Sequence, residues 1–183
     1  MDPTALVAYL ANFQDLVWVL DGEQTALLRR LTPAAFDDDE GTWAICQAQA
    51  CAFAGDAACA REYAERARKA FETQLASSPN QTVSFMTGRV IALGYAGRKE
   101  ETVREAGRLA AAWPLTRDGR DAPYARLQVT RAYILAGEQE KALDVLEPLL
   151  KFPYFLSPAW LKIDPNFDPL RKNPRFQKLV AAK

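Results

Sequence analysis

Apolar residues recur at three- and four-residue spacing along almost the whole chain, and strict apolar–polar alternation is scarce. The pattern predicts helices and no sheet. A first helix is predicted from Pro3 to Leu20, with Asp2 as its N-cap and Pro3 as its first residue. Asp21-Gly22 breaks it, and a second helix runs from Glu23 to Leu31 before Pro33. The loop "TPAAFDDDEG" follows. Beyond it come three longer blocks. Each reads as two helices with a glycine between them, at Gly55-Asp56, Gly97-Arg98 and Gly137-Glu138.

Those glycines are about forty residues apart, a period that indicates stacked helix hairpins. A lone hairpin cannot cover its own apolar faces, so each must pack on its neighbours. Equating the three glycines brings other positions into register. Five residues later stand Ala60, Thr102 and Ala142; four earlier stand Cys51, Leu93 and Tyr133; seven earlier stand Ala48, Val90 and Thr130. Small residues there let paired helices approach, and larger ones fill the space above.

The C-terminal stretch "DPNFDPLRKNPRFQKLV" places Pro165, Pro169 and Pro174 each after an Asp or Asn. With Ser157-Pro158, every pair reads as an N-cap followed by a first helical residue. Proline also stops each segment from extending the one before it. The expected result is a chain of short turns closing the open end of the array. Trp160, Leu161, Ile163, Phe167, Leu170, Phe176 and Leu179 should face inward.

Composition narrows the chemistry. The 183 residues are 49% hydrophobic and 25% charged, which suits a well-packed core. Lys plus Arg and Asp plus Glu are each 23, so no basic footprint for nucleic acid or anionic membrane exists. No apolar run is long enough to cross a bilayer, and "MDPTALVAYL" lacks the basic start of a signal peptide. A cytoplasmic location is expected. Histidine is absent, which removes Ser-His-Asp and Cys-His nucleophilic catalysis and most zinc hydrolase sites. The acids Asp37, Asp38, Asp39 and Glu40 are consecutive and precede a helix near Thr42, so capping is expected rather than a metal site. Cys46, Cys51 and Cys59 are odd in number and lack CxxC spacing, so they read as small buried thiols. No glycine-rich phosphate cradle is present. No catalytic residue, metal or cofactor is expected.

The third block, "AYILAGEQEKALDVLEPLL", resembles the tetratricopeptide repeat (TPR) family at Tyr133, Gly137, Ala142 and Leu146. In the first block Gly55, Asp56, Ala60, Ala64 and Ala67 are in the same register. In the second, Thr102 replaces the family's Ala, while Ala106 and Pro114 fit. The resemblance implies a right-handed α-α superhelix of TPR-like hairpins with a short C-terminal helical cap. It divides the chain into a degenerate N-terminal hairpin (1–36), three hairpins (41–154) and the cap (155–183). The closing segment and "LRRLTPAAFDDDEGTWA" are similar to TPR arrays of large bacterial signalling proteins, where a Ser/Thr kinase, cyclase or winged-helix domain precedes the array.

In such arrays the first helix of each hairpin lines a concave groove. The resemblance thereby places Gln49, Phe53, Ile91, Tyr95, Tyr124 and Arg131 in that groove, with the three aromatics as anchors. The implied function is a non-catalytic module that holds a protein, a peptide or a helix. Two other readings stay open: self-association through Leu16–Leu20, and a small-molecule sensor whose pocket uses Tyr95, Arg131 and Tyr133. The chain's own N-terminal segment could also fill the groove.

Overall fold

A computed structural model describes residues 2–13, 15–77 and 83–181. Every regular element among them is helical. The chain forms two compact units, Met1–Gly97 and Arg98–Lys183.

In the first unit, α1 (Pro3–Asn12) starts where Asp2 accepts a 3.0 Å hydrogen bond from the Ala5 amide. It does not continue to Leu20. The chain leaves the helix at Phe13, and Val17–Val19 forms a separate 3-10 turn. Burial of Val17 and Leu20 fixes this path, overriding the helical spacing. Asp21 then opens a new helix, α2 (Gly22–Leu28), through a reciprocal cap with Gln24. Pro33–Phe36 is a second 3-10 turn. Asp37 and Asp38 follow with φ of 52° and 59°, a left-handed region that Asp tolerates. Their turn aims Asp39 at the start of α3 (Glu40–Phe53), where its carboxylate accepts from the Thr42 amide at 3.0 Å. The acidic run therefore caps, with Asp39 bearing the cap.

Helix α3 packs on α4 (Ala57–Ser77) and on α5 (Val83–Tyr95). Phe71 of α4 is the knob between them. A Cβ at Gly41 would lie 2.7 Å from its ring, and one at Gly88 would lie 2.4 Å away. Glycine at both places lets the ring bury to 1% exposure.

The second unit contains α6 (Lys99–Ala112), α7 (Asp121–Leu135) and α8 (Gln139–Leu149). Helix α7 packs on both of its neighbours. The unit closes with α9 (Pro158–Ile163), a 3-10 segment Pro165–Leu170, and α10 (Pro174–Ala181). Ser157, Asp164 and Asn173 cap as expected, accepting from the amides of Trp160, Asn166 and Arg175 at 3.2, 2.8 and 2.9 Å. Asp168 does not cap. Pro169 lies inside the 3-10 segment, and Asp168 pairs instead with Arg171 at 2.6 Å. Leu161, Phe167, Leu170 and Phe176 are buried and Trp160 and Leu179 are half-buried, but Ile163, the last residue of α9, is 61% exposed. Arg175 bonds Glu140, Asp144 and Glu147, tying α10 to α8.

The three elbows fall on the three glycines. Gly55, Gly97 and Gly137 have φ of 78°, 76° and 76°. Two show the full closing pattern of a left-handed helix end: Asp56 and Glu138 donate back to Cys51 and Tyr133, both at 2.9 Å. The register holds as well. Ala60, Thr102 and Ala142 are at most 4% exposed. Thr102 fits an Ala position because its hydroxyl donates to the Arg98 carbonyl at 2.8 Å.

One cysteine expectation is overturned. Cys51 and Cys59 are joined by a disulfide, with Cα atoms 5.7 Å apart, and only Cys46 keeps its thiol. The two sit four residues before and four after Gly55, so the elbow itself brings them together.

Candidate docking surface

Helix α3 explains why much of the expected groove is closed. Every residue from Gly41 to Cys51 is buried, on all sides of the helix. α4 and α5 cover one side, and the N-terminal segment covers another. The Cys46 thiol donates to the Ala11 carbonyl at 3.0 Å, Gln47 donates to Leu28 at 2.7 Å, and the Trp43 indole donates to Leu31 at 2.7 Å. These bonds fasten α1, α2 and the link after α2 onto α3. The alanine-rich sequence of α3 permits such close cover, because small side chains leave room for three neighbours.

Helix α7 is enclosed in the same manner by the C-terminal segment. Arg131 donates to Gln128 at 2.8 Å and to Asn166 at 3.2 Å. Asp164, 2% exposed, accepts from the Asn166 amide, the Asn166 side chain and the Trp160 indole. Burial pushes the Asp164 carboxyl above the ordinary carboxylate range, and those bonds and the Arg131 charge pull it part of the way back. Together these residues fasten the Pro165–Leu170 turn onto α7.

The six sequence-predicted groove residues therefore fall into two sets. Gln49, Ile91 and Arg131 each stand six residues before an elbow, and they are 0%, 0% and 2% exposed. Gln49 and Ile91 form a closed floor in the first unit, and Arg131 is closed off within the second. Phe53 and Tyr95 stand two residues before an elbow; Phe53 is 40% exposed and Tyr95 is half-buried. Tyr124, on the first turn of α7, is half-buried too. Phe53 and Tyr95 form an accessible aromatic rim on the first unit. Gln49 and Phe53 share α3, Ile91 and Tyr95 share α5, and α3 packs on α5 within the first unit. Tyr124 and Arg131 belong to the second unit.

The residues of the other two readings are placed as follows. Val17 and Leu20 of the Leu16–Leu20 stretch are buried, Leu16 and Trp18 are half-buried, and Val19 is exposed. Of the sensor residues, Tyr133 is 8% exposed and Arg131 donates to Asn166.

Several features were not anticipated. A cleft of about 450 Å³ lies between α1 and α2, lined by Leu6, Val7, Asp21, Gln24, Leu27 and Arg30 among others. Predicting one helix through Leu20 hid the chain reversal that makes it. Tyr154 and Phe155, ahead of α9, form an aromatic cluster with Trp160 of α9, with ring centroids 4.5 and 5.3 Å apart in succession. The placing of Cys51 and Cys59 at equal distances from Gly55 was the available signal for the disulfide.

Among the described residues no group of His, Cys, Asp and Glu is arranged to hold a metal ion, and no helix is long and apolar enough to cross a membrane. No protein-family model matches the chain, and neither a curated protein nor a solved structure matches it.

Proposed function

We propose that this chain is a TPR-like array of helix hairpins, built as a right-handed superhelix, that serves as a non-catalytic protein-interaction module. Its occupant is a peptide or an amphipathic helix with apolar side chains. The module belongs to a larger bacterial signalling protein and acts in the cytoplasm. The fold half of this reading is supported by the glycine elbows of matching φ and by the buried small residue five positions after each. Tyr133, Gly137, Ala142 and Leu146, which carry the family resemblance, are a buried aromatic, a left-handed turn and two fully buried packing positions.

The observation that carries the docking half is the split between floor and rim. Gln49 and Ile91 of the first unit and Arg131 of the second are closed to solvent, while Phe53 is 40% exposed and Tyr95 and Tyr124 are half-buried. Exposed aromatic rings contribute large contact area and little rotamer entropy, which suits them as anchors. The test is capture of partners from the native cell extract by the immobilised chain and by Phe53→Ala/Tyr95→Ala, with quantitative mass spectrometry. A partner held through these rings should lose at least tenfold in capture, about 1.4 kcal/mol. Melting temperatures of the two chains should agree. Equal capture by both chains would remove the rim from the interface, and loss of cooperative folding would place the rings in the core.

A further inference from the structure

We infer that the Cys51–Cys59 pair is a reversible thiol–disulfide site that staples the first elbow, with Cys59 as its accessible sulfur. The site rests on the disulfide, on unequal burial and on the charge around one sulfur. None of these depends on the docking reading.

The bond spans Gly55 symmetrically, from the last turn of α3 to the first turn of α4. Cys51 is 0% exposed, whereas Cys59 is half-buried. An attacking thiolate can therefore reach only the Cys59 sulfur. A helix N-terminus and a guanidinium stand beside that atom, set against the Asp56 carboxylate on the Cys59 amide. The sulfur lies in the N-terminal turn of a 21-residue helix, and the Arg29 guanidinium Nη2 is 3.9 Å from Sγ. Both features favour a thiolate there. The elbow does not need the bond to exist. Gly55 and Asp56 already close α3 through bonds to Ala52 and Cys51, and Asp56 caps α4 by accepting from the Cys59 amide at 3.0 Å. The equivalent positions of the third elbow, Tyr133 and Lys141, also lie close enough for the Lys141 charge to act on the tyrosine hydroxyl, without any covalent link.

The exchange balances with a dithiol as reductant. Its thiolate attacks the Cys59 sulfur, and the electron pair of the broken S–S bond leaves on Cys51, which takes up a proton. The second thiol of the reductant then displaces Cys59 from the mixed disulfide. The reductant ends as a disulfide, and the elbow ends as two thiols. Glutathione disulfide reverses the process. In a reducing compartment such a pair is a transient, sensing disulfide rather than a permanent one. Opening it frees the elbow and presents a reactive thiol six residues beyond Phe53.

The full chain would be equilibrated with glutathione disulfide, reduced under native conditions with dithiothreitol, and trapped with iodoacetamide before peptide mapping. The expected result is a Cys51–Cys59 link in the oxidised chain, opened without change in the far-ultraviolet circular dichroism. Cys59 should then alkylate about tenfold faster than Cys51. Arg29→Gln should slow Cys59 alkylation near neutral pH while leaving Cys51 protected. Absence of the link, its opening only on denaturation, or equal alkylation of the two thiols would overturn the inference. If dithiothreitol unfolds the chain, Cys51→Ala supplies a second reading: a folded variant with a fast Cys59 upholds the site, and an unfolded or unreactive one refutes it.

Discussion

Replacing Gly137 with alanine isolates the backbone term on which the fold depends. Its φ is 76°, and a Cβ there would meet no atom within 4 Å. Steric clash with neighbours is thus absent, and only the left-handed conformation resists. That conformation costs an L-residue with a Cβ roughly 1–2 kcal/mol. Alanine also narrows the unfolded ensemble, offsetting about 0.4–1 kcal/mol. A net loss of about 1 kcal/mol remains, which lowers the melting temperature of a chain this size by about 2–4 °C. Gly55 and Gly97 share both the φ and the empty surroundings, so Gly55→Ala and Gly97→Ala should cost the same. Gly22 supplies the control. It has equally open surroundings but no positive φ, and it lies at the start of α2. Gly22→Ala should be neutral or stabilising by up to about 1 kcal/mol. Urea denaturation followed by circular dichroism measures all four. If any elbow variant is as stable as the parent, or if Gly22→Ala costs as much as they do, the elbow argument fails.

Gly88→Ala pushes a Cβ to 2.4 Å from the buried Phe71 ring, so overpacking should cost about 1–3 kcal/mol, less about 1 kcal/mol of helix propensity gained. In a Phe71→Leu background the same change should cost less, and a double-mutant cycle by chemical denaturation would read that coupling. Asp164 should give a pH signature. Its folded pKa is raised by burial, so the folded state binds more protons than the unfolded one between the ordinary and raised values. Its contribution is therefore greatest at acid pH and declines as pH rises through the folded pKa. The stability of the parent relative to Asp164→Asn should fall over that window, and a flat difference would contradict the assignment.

The elbows were legible in the sequence because few residues other than glycine accept their φ, and because the flanking small residues repeat in step with them. The caps at Asp2, Asp39, Ser157, Asp164 and Asn173 were legible for a local reason, since an acceptor ahead of a helix start acts within a few residues. Asp168 misled because Asp-Pro also fits inside a 3-10 segment, where an ion pair to Arg171 was the better partner. The end of α1 was hidden, for Phe13 is neither glycine nor proline and "LVWVL" continues an apolar run. Packing of Val17 and Leu20 decided it. The burial of Gln49, Ile91 and Arg131 was the hardest part to read. At Arg131, closure depends on where the C-terminal segment comes to rest, and no residue in α7 announces that.

Thiol labelling tests this closed floor and open rim most directly. In a chain with Cys46, Cys51 and Cys59 replaced by alanine, single cysteines would be placed at Gln49, Ile91, Phe53 and Tyr95, and maleimide labelling followed under native conditions. Cysteines at Phe53 and Tyr95 should label in the folded state, while those at Gln49 and Ile91 should label only at the rate of unfolding. Native-state labelling at Gln49 and Ile91 as fast as at the rim would mean an open groove and would contradict the account.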